Sequence, residues 1–253
     1  MILRRLTQHV KDQNWVAVAL DFLIVVLGVF IGLQISNWND ARALDRLERN
    51  YLLQLKDEVA QNRRVTEYQI VYVDIVVETG KRALAYLESD RACDDDCADL
   101  LVDFFHASQV WGAPRTLTIF EEMERLGLPR DAERRKTLLD LYRFLDGWNF
   151  VNLSPPAYRE SVRGYFSPDV SEALWRDCIR YPDDVFEELV RDCVDELRAM
   201  DTSAMLEDMR ASPDLANQLR YWIGQNVVAQ VLLPDALGYS DAAQAAIDEA
   251  LAR

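Results

Sequence analysis

Four cysteines are the residues in this chain best equipped for chemistry. Cys93 and Cys97 bracket three aspartates in CDDDC, and Cys178 and Cys193 follow farther on. Three uses compete for CDDDC: a metal loop, a redox pair or a structural disulfide. A zinc site needs further Cys or His at matching spacing, and the only histidines are His9 and His106. A redox pair has two residues between its cysteines and a depressed thiol pKa, which three aspartates would raise instead. A disulfide across a tight loop is the expected use. Cys178 and Cys193 are a second candidate pair across the turn at Pro182. Simple hairpin geometry, however, sets Cys193 several residues beyond the position opposite Cys178.

Other chemistry is thin. There is no G-x-S-x-G elbow, no H-E-x-x-H, no phosphate-cradling glycine loop and no dinucleotide fingerprint. The TGKR at Thr79 has the Gly-Lys of a phosphate loop without its upstream glycine. Glu121/Glu122 and Asp183/Asp184 are adjacent pairs that point to different sides of a helix, as solvated or first-turn acids do. His106 stands beside Phe104 and Phe105 and reads as a packed or rim histidine. No catalytic, cofactor-binding or metal-ligating residue is assigned.

The elements that would carry these residues begin with an apolar run, VAVALDFLIVVLGVFIGL, from Val16 to Leu33. A helix from Trp15 to Ser36 would be roughly 33 Å long, about one hydrocarbon thickness. Trp15 and Trp38 fall at its edges, where indoles prefer the headgroup layer. The run ends in LQISNWND rather than a small-x-small cleavage site, so an uncleaved anchor is expected. Asp21 interrupts it about a turn and a half from the start, close to the interface and the positive end of the helix dipole. At 100° per residue, Asp21, Gly28, Gly32, Ser36 and Asn39 share an arc of about 80°. Gly28 and Gly32 have the G-x-x-x-G spacing that lets helix backbones touch, so this small, polar stripe predicts self-association or docking on a partner span.

Net charge is −15. Residues 1–40 hold Arg4, Arg5 and Lys11 against Asp12, Asp21 and Asp40, so the whole imbalance lies in residues 41–253. Such a domain repels phosphate backbones and anionic lipid, which excludes nucleic acid as a partner. Arginines and lysines flank the apolar run on both sides and leave its orientation open. An even number of cysteines beyond the anchor suits an oxidising compartment. This places the N-terminus in the cytoplasm of a bacterial cell and the main domain in the periplasm, anchored in the inner membrane.

The junction carries a recognisable signature. Leu33, Gln34, Asn37, Trp38 and Asn39, followed by Asp40, form Leu-Gln-x-x-Asn-Trp-Asn and an acid. In this the chain resembles a broad family of single-pass bacterial membrane proteins, in its proteobacterial branch. A second match is FEEMERLGL, Phe120 to Leu128, against an aromatic-Glu-Glu-Leu segment closed by Ser-Gly and a Leu-Arg-rich helix ending in tyrosine. Gly127 and Tyr142 fit, while Met123 stands for the leucine and Leu126 for the serine. The resemblance implies an anchored helical protein of unassigned activity, and it brings no catalytic residues. Physically, Gln34, Asn37 and Asn39 can satisfy the last carbonyls of a span, or cap a following helix at an interfacial hinge. A recognition surface for another membrane protein is the sharper alternative.

Beyond Asp40, Leu44, Leu47, Tyr51 and Leu55 recur at helical steps, and no proline appears before Ser89. A long stalk helix is expected, its heptad pattern fading near Asn62. The β-branched IVYVDIVVETG is read as a buried part of that helix. Further helices are predicted over Asp99–Ser108, at TIFEEMERLGL with a stop at Gly127 and Pro129, and after Asp131, with Leu138, Leu141, Tyr142, Leu145 and Trp148 on one face. Ser154-Pro155 and Ser167-Pro168 should each start a helix. DDVFEELVRDCVDELRAM should be helical after Pro182. A helix opened by Ser212-Pro213 should stop at Pro234, and Ser240 should cap a last one.

The resulting organisation is all-α: a tail over 1–14, a transmembrane helix over 15–36, a junction and stalk over 37–90 and a helical bundle over 91–253. The function expected is a scaffold or accessory subunit that binds the lipid bilayer and either another envelope protein or itself, without a cofactor. A ligand-sensing bundle that signals through a membrane partner is the alternative, and a hydrolase with an unfamiliar site is a third reading.

Overall fold

The computed structural model describes residues 15–94, 96–110, 115–152, 156–182 and 186–252, without the side chains of 15–19, 21 and 148–152. The chain divides into two units after Tyr51. It is all-α, with one two-residue strand pair among the described residues. Helix α1 is Trp15–Leu87. In the first unit its apolar side chains from Leu20 to Leu47 are exposed. The segment is long and apolar enough to cross a membrane, with a mean hydropathy of 1.7 and none of that window buried.

From Leu52 onward the same helix becomes the spine of the second unit. Leu52, Leu55, Val59, Asn62, Thr66, Gln69, Val73, Val76, Gly80 and Ala83 are all buried, at strict alternating steps of three and four residues. The apolar repeat fades at Asn62 as expected, but the buried stripe goes on. It continues through three polar residues whose partners lie far off in sequence. IVYVDIVVETG is helical and largely buried, as its flanks predict.

Around this spine pack α2 (Cys97–Ala107), α3 (Thr118–Arg125), α4 (Ala132–Asn152), α5 (Ala157–Arg163), α6 (Pro168–Asp177), α7 (Ser203–Ala211) and α8 (Leu215–Ala252). Helix α2 is buried almost all round, from Leu101 to Phe104 and Phe105, so it forms the centre of the core. Gly127, at φ +71°, closes α3 in the left-handed conformation its sequence predicts. Asp131 caps α4 by accepting from the Arg134 N–H at 2.7 Å. Ser167 caps α6 ahead of Pro168. Ser154-Pro155 and Asp183/Asp184 lie outside the described residues.

Three expectations are corrected. First, α1 runs through Gln34–Asp40 without a break, so the junction amides cap no helix there. Second, Phe186–Met200 is not helical: β2 (Glu188–Leu189) pairs antiparallel with β1 (Ile179–Arg180), and a short 3-10 turn follows at Leu197–Ala199. The disulfide and the strand pair outweigh the helical propensity of FEELVRD. Third, α8 passes through Pro234, and Ser240 caps nothing. Pro234 is exposed and forfeits one backbone bond, while Leu233 and Ala236 beside it are fully buried. The Ser240 hydroxyl donates back to the Ala236 carbonyl at 2.8 Å inside the helix.

Candidate functional site

The residues singled out at the apolar end belong to the first unit. Gly28 and Gly32 face open space, with no atom within 4 Å of where a Cβ would sit. Ser36, Gln34, Asn37 and Asn39 are exposed on the same helix. The Asp21 side chain and His9 lie outside the described residues. Trp38 takes the Arg42 guanidinium over its ring, 3.7 Å from the centroid. That contact runs one turn along the helix, a pairing that indole and guanidinium make readily.

All four cysteines are paired. Cys93 bonds Cys97 and Cys178 bonds Cys193, with Cα separations of 5.1 and 5.2 Å. The second bridge resolves the register problem in the sequence. Ile179 faces Leu189, and the Val190 N–H donates to the Cys178 carbonyl at 2.9 Å. Cys193 therefore lies three residues past the opposed position, and the chain bends back at Arg191–Asp192 to bring its sulfur round. Two disulfides fit an oxidising compartment rather than a reducing interior.

The Cys178 carbonyl also faces His106 Nε2 at 3.2 Å. A carbonyl only accepts, so Nε2 carries the proton and Nδ1 presents a lone pair. Nδ1 is buried without a partner among the described residues. Burial pushes the imidazole down to about 4; the bond to the Cys178 carbonyl opposes it, and Arg191 and Arg82 add smaller downward pushes. Next to it Arg82 forks onto Asp103 at 2.7 and 2.5 Å. Glu78 takes both Arg82 and Arg191. Burial pushes the Asp103 carboxyl up, and the Arg82 pair opposes it. The Thr79 hydroxyl is spent on the Ile75 carbonyl at 2.7 Å. This neighbourhood holds a neutral, packed histidine in a charged lattice, without a nucleophile.

The second unit also contains a cleft of about 510 Å³, between α1, α4, α8 and the segment after α2. That volume suits a small organic molecule. Its walls are apolar: Val73, Phe144, Trp222, Val228, Ala229 and Leu232. Trp222 is locked by donating to the Ala107 carbonyl at 2.9 Å. Four amides also line it, Gln69, Gln109, Gln225 and Asn226, and the first two are held by guanidinium groups. Gln109 Oε1 accepts from Arg163 at 2.8 Å and from Arg159 at 3.3 Å. Gln69 Oε1 accepts from Arg115 at 2.6 Å.

These guanidiniums rest on neutral acceptors. Arg115 donates to the Asn62 carbonyl and the Thr66 hydroxyl, and Arg159 and Arg163 to the Ser108 carbonyl and hydroxyl. Burial pushes Arg115 down to about 10, and burial with repulsion from Arg159 brings Arg163 to about 10. All remain cationic at neutral pH. Glu187 accepts from the Tyr72 hydroxyl at 2.6 Å and from none of these guanidiniums. Sequence reasoning passed over Gln69, Gln109, Arg115, Arg159 and Arg163. Their one advance signal was the spacing of three and four residues that Asn62, Thr66 and Gln69 keep after the apolar repeat fades, which marks polar groups that must find buried partners.

Among the described residues no cluster of three His, Cys, Asp or Glu side chains is placed to hold a metal ion. No protein-family model, curated protein or solved structure matches the chain.

Proposed function

We propose that this chain is a single-pass protein of a bacterial inner membrane that carries a disulfide-stapled helical domain in the periplasm and works by binding. The apolar helix supports the anchor, and the paired cysteines support the oxidising side. The observation that carries the binding reading is the cleft, where two clamped amides stand among apolar walls. It has the make-up of a ligand pocket: a greasy lining and a few oriented polar groups. Catalysis is not part of the proposal, because no nucleophile is joined to a base at the cleft or beside His106.

A second reading, a scaffold or accessory subunit, is favoured by the stripe of Gly28, Gly32 and Ser36. Nothing in this chain's described residues covers it. A partner span or a second copy would pack there, and such a contact would carry ligand occupancy to another protein. The Leu-Gln-x-x-Asn-Trp-Asn resemblance agrees with either role.

The deciding experiment is to purify the full-length chain from its own membranes in lipid nanodiscs, denature it and identify the small molecules released. Gly147→Trp is the control, since Gly147 lines the cleft and has no atom within 4 Å of its Cβ position. A compound retained by the wild type and absent from the variant supports the ligand reading. An empty wild type, or equal retention by both, refutes it. Partner proteins lost on Gly28→Ile with Gly32→Ile support the scaffold role.

A further inference from the structure

We infer that the cleft takes an organic monocarboxylate on an apolar body, its acid end turned inward onto the amide N–H groups of Gln109 and Gln69. This rests on the binding reading above and names the class of ligand.

Orientation of the amides comes first. A guanidinium can only donate, so the two arginines on Gln109 fix its oxygen toward themselves and force its NH₂ the other way. Exchanging oxygen and nitrogen would set donors against donors. Gln109 is 1% exposed, and its Nε2 has no hydrogen-bond partner among the described residues. A buried N–H left unmade is costly, so an acceptor brought to it is held. Arg115 fixes Gln69 in the same sense, and Gln69 Nε2 makes no hydrogen bond among the described residues either. Gln109 and Gln69 thus offer donors, while Asn226 on α8, whose Nδ2 donates to the Trp222 carbonyl at 2.9 Å, offers an acceptor oxygen to the same cleft.

Charge decides between a neutral acceptor and an acid. Arg115, Arg159 and Arg163 stand one hydrogen bond behind the two amides, and every side-chain or backbone acceptor they use is neutral. The described lining contains no Asp or Glu. Glu187, one hydrogen bond behind Tyr72, makes no hydrogen bond to any of the three arginines. A low-dielectric floor with unmatched positive charge favours an anion strongly over a neutral group of the same shape. Arg143 adds a fourth cation at the exposed rim, where it steers an anion inward. Four cations around one cleft in a chain of net charge −15 oppose the trend of the whole surface. The walls of Val73, Phe144, Trp222 and Leu232 then call for a flat or branched apolar body rather than a small polar acid.

The test uses the full-length chain in nanodiscs of zwitterionic lipid, with three probes on one ring system: 2-naphthoate, 2-naphthalenemethanol and 2-naphthalenemethylamine. Binding is read by thermal shift and by tryptophan fluorescence, against empty nanodiscs. Naphthoate should bind at least about tenfold more tightly than the alcohol, and the ammonium should bind least. Gln109→Glu keeps the shape and the arginine contacts but turns the inward donor into an acceptor. It should leave the melting temperature no lower, weaken naphthoate by about tenfold or more and leave the alcohol unchanged. Equal affinity for acid and alcohol, or naphthoate unaffected by Gln109→Glu, overturns the acid assignment while leaving the binding reading intact. If none of the three probes binds the wild type, both fall.

Discussion

Glu58 on α1 accepts from the backbone N–H of Ile119 at 2.8 Å, from that of Phe120 at 3.3 Å and from the Tyr142 hydroxyl at 2.6 Å. It caps α3 from another helix, because the local N-cap position is Leu117 and has no oxygen to offer. Glu58→Ala leaves three donors unmet, two of them buried, and should cost about 3 kcal/mol in chemical denaturation, against about 1 kcal/mol for a local cap such as Asp131→Ala. A second residue-scale prediction concerns acid. His106 is held neutral, with a folded pKa of about 4 against an ordinary 6.5. Between these values the unfolded chain binds the extra proton. The stability His106 contributes is therefore complete above pH 6.5 and lost as pH falls toward 4, by about 3 kcal/mol in all. Unfolding free energies at pH 7 and pH 4.5 should differ less in His106→Gln than in wild type, and equal slopes would refute this. Asp131 was legible because a cap is written three residues from its donor. Glu58 and Gln109 were not, because their partners lie 61 and 54 residues away.

Among the elements, α1 and α8 meet closely at Gly80. A Cβ at Gly80 would stand 2.9 Å from Ile223 Cγ1, tighter than packing allows. Gly80→Val should destabilise by about 1–3 kcal/mol, and adding Ile223→Ala should restore part of the loss, measured as melting temperature. The Cys178–Cys193 bridge closes a 15-residue separation around the strand pair, and Cys178→Ser should cost about 3 kcal/mol. The shorter Cys93–Cys97 loop should matter less. Helix existence was legible wherever apolar residues kept a period near 3.6, as over Asp99–Ser108 and after Asp131. It failed at Phe186–Met200, where composition favours a helix but the pairing of Ile179 with Leu189 and a covalent bond decide otherwise. It failed again at Pro234, whose exposed ring lets α8 continue because the buried stripe through Leu233, Ala236 and Ser240 keeps its register.

At the scale of the whole chain, hydropathy and cysteine pairing carry the account, and both are collective properties that a sequence displays directly. Over the described part of the apolar run from Val16 to Leu33 no other described residue packs, so its solvent has to come from elsewhere. The cleft was not visible in this way, since its floor is assembled from α1, α5 and the segments at Gln109 and Arg115. The most direct test is a reporter cysteine, Glu207→Cys, on an exposed turn of α7, probed in intact bacterial spheroplasts with a membrane-impermeant maleimide. The chain should sediment with membranes and the reporter should label fully before lysis, with the four native cysteines unreactive. Labelling only after lysis, or recovery of the full-length chain in the soluble fraction, would contradict the anchored, outward-facing domain on which the rest depends.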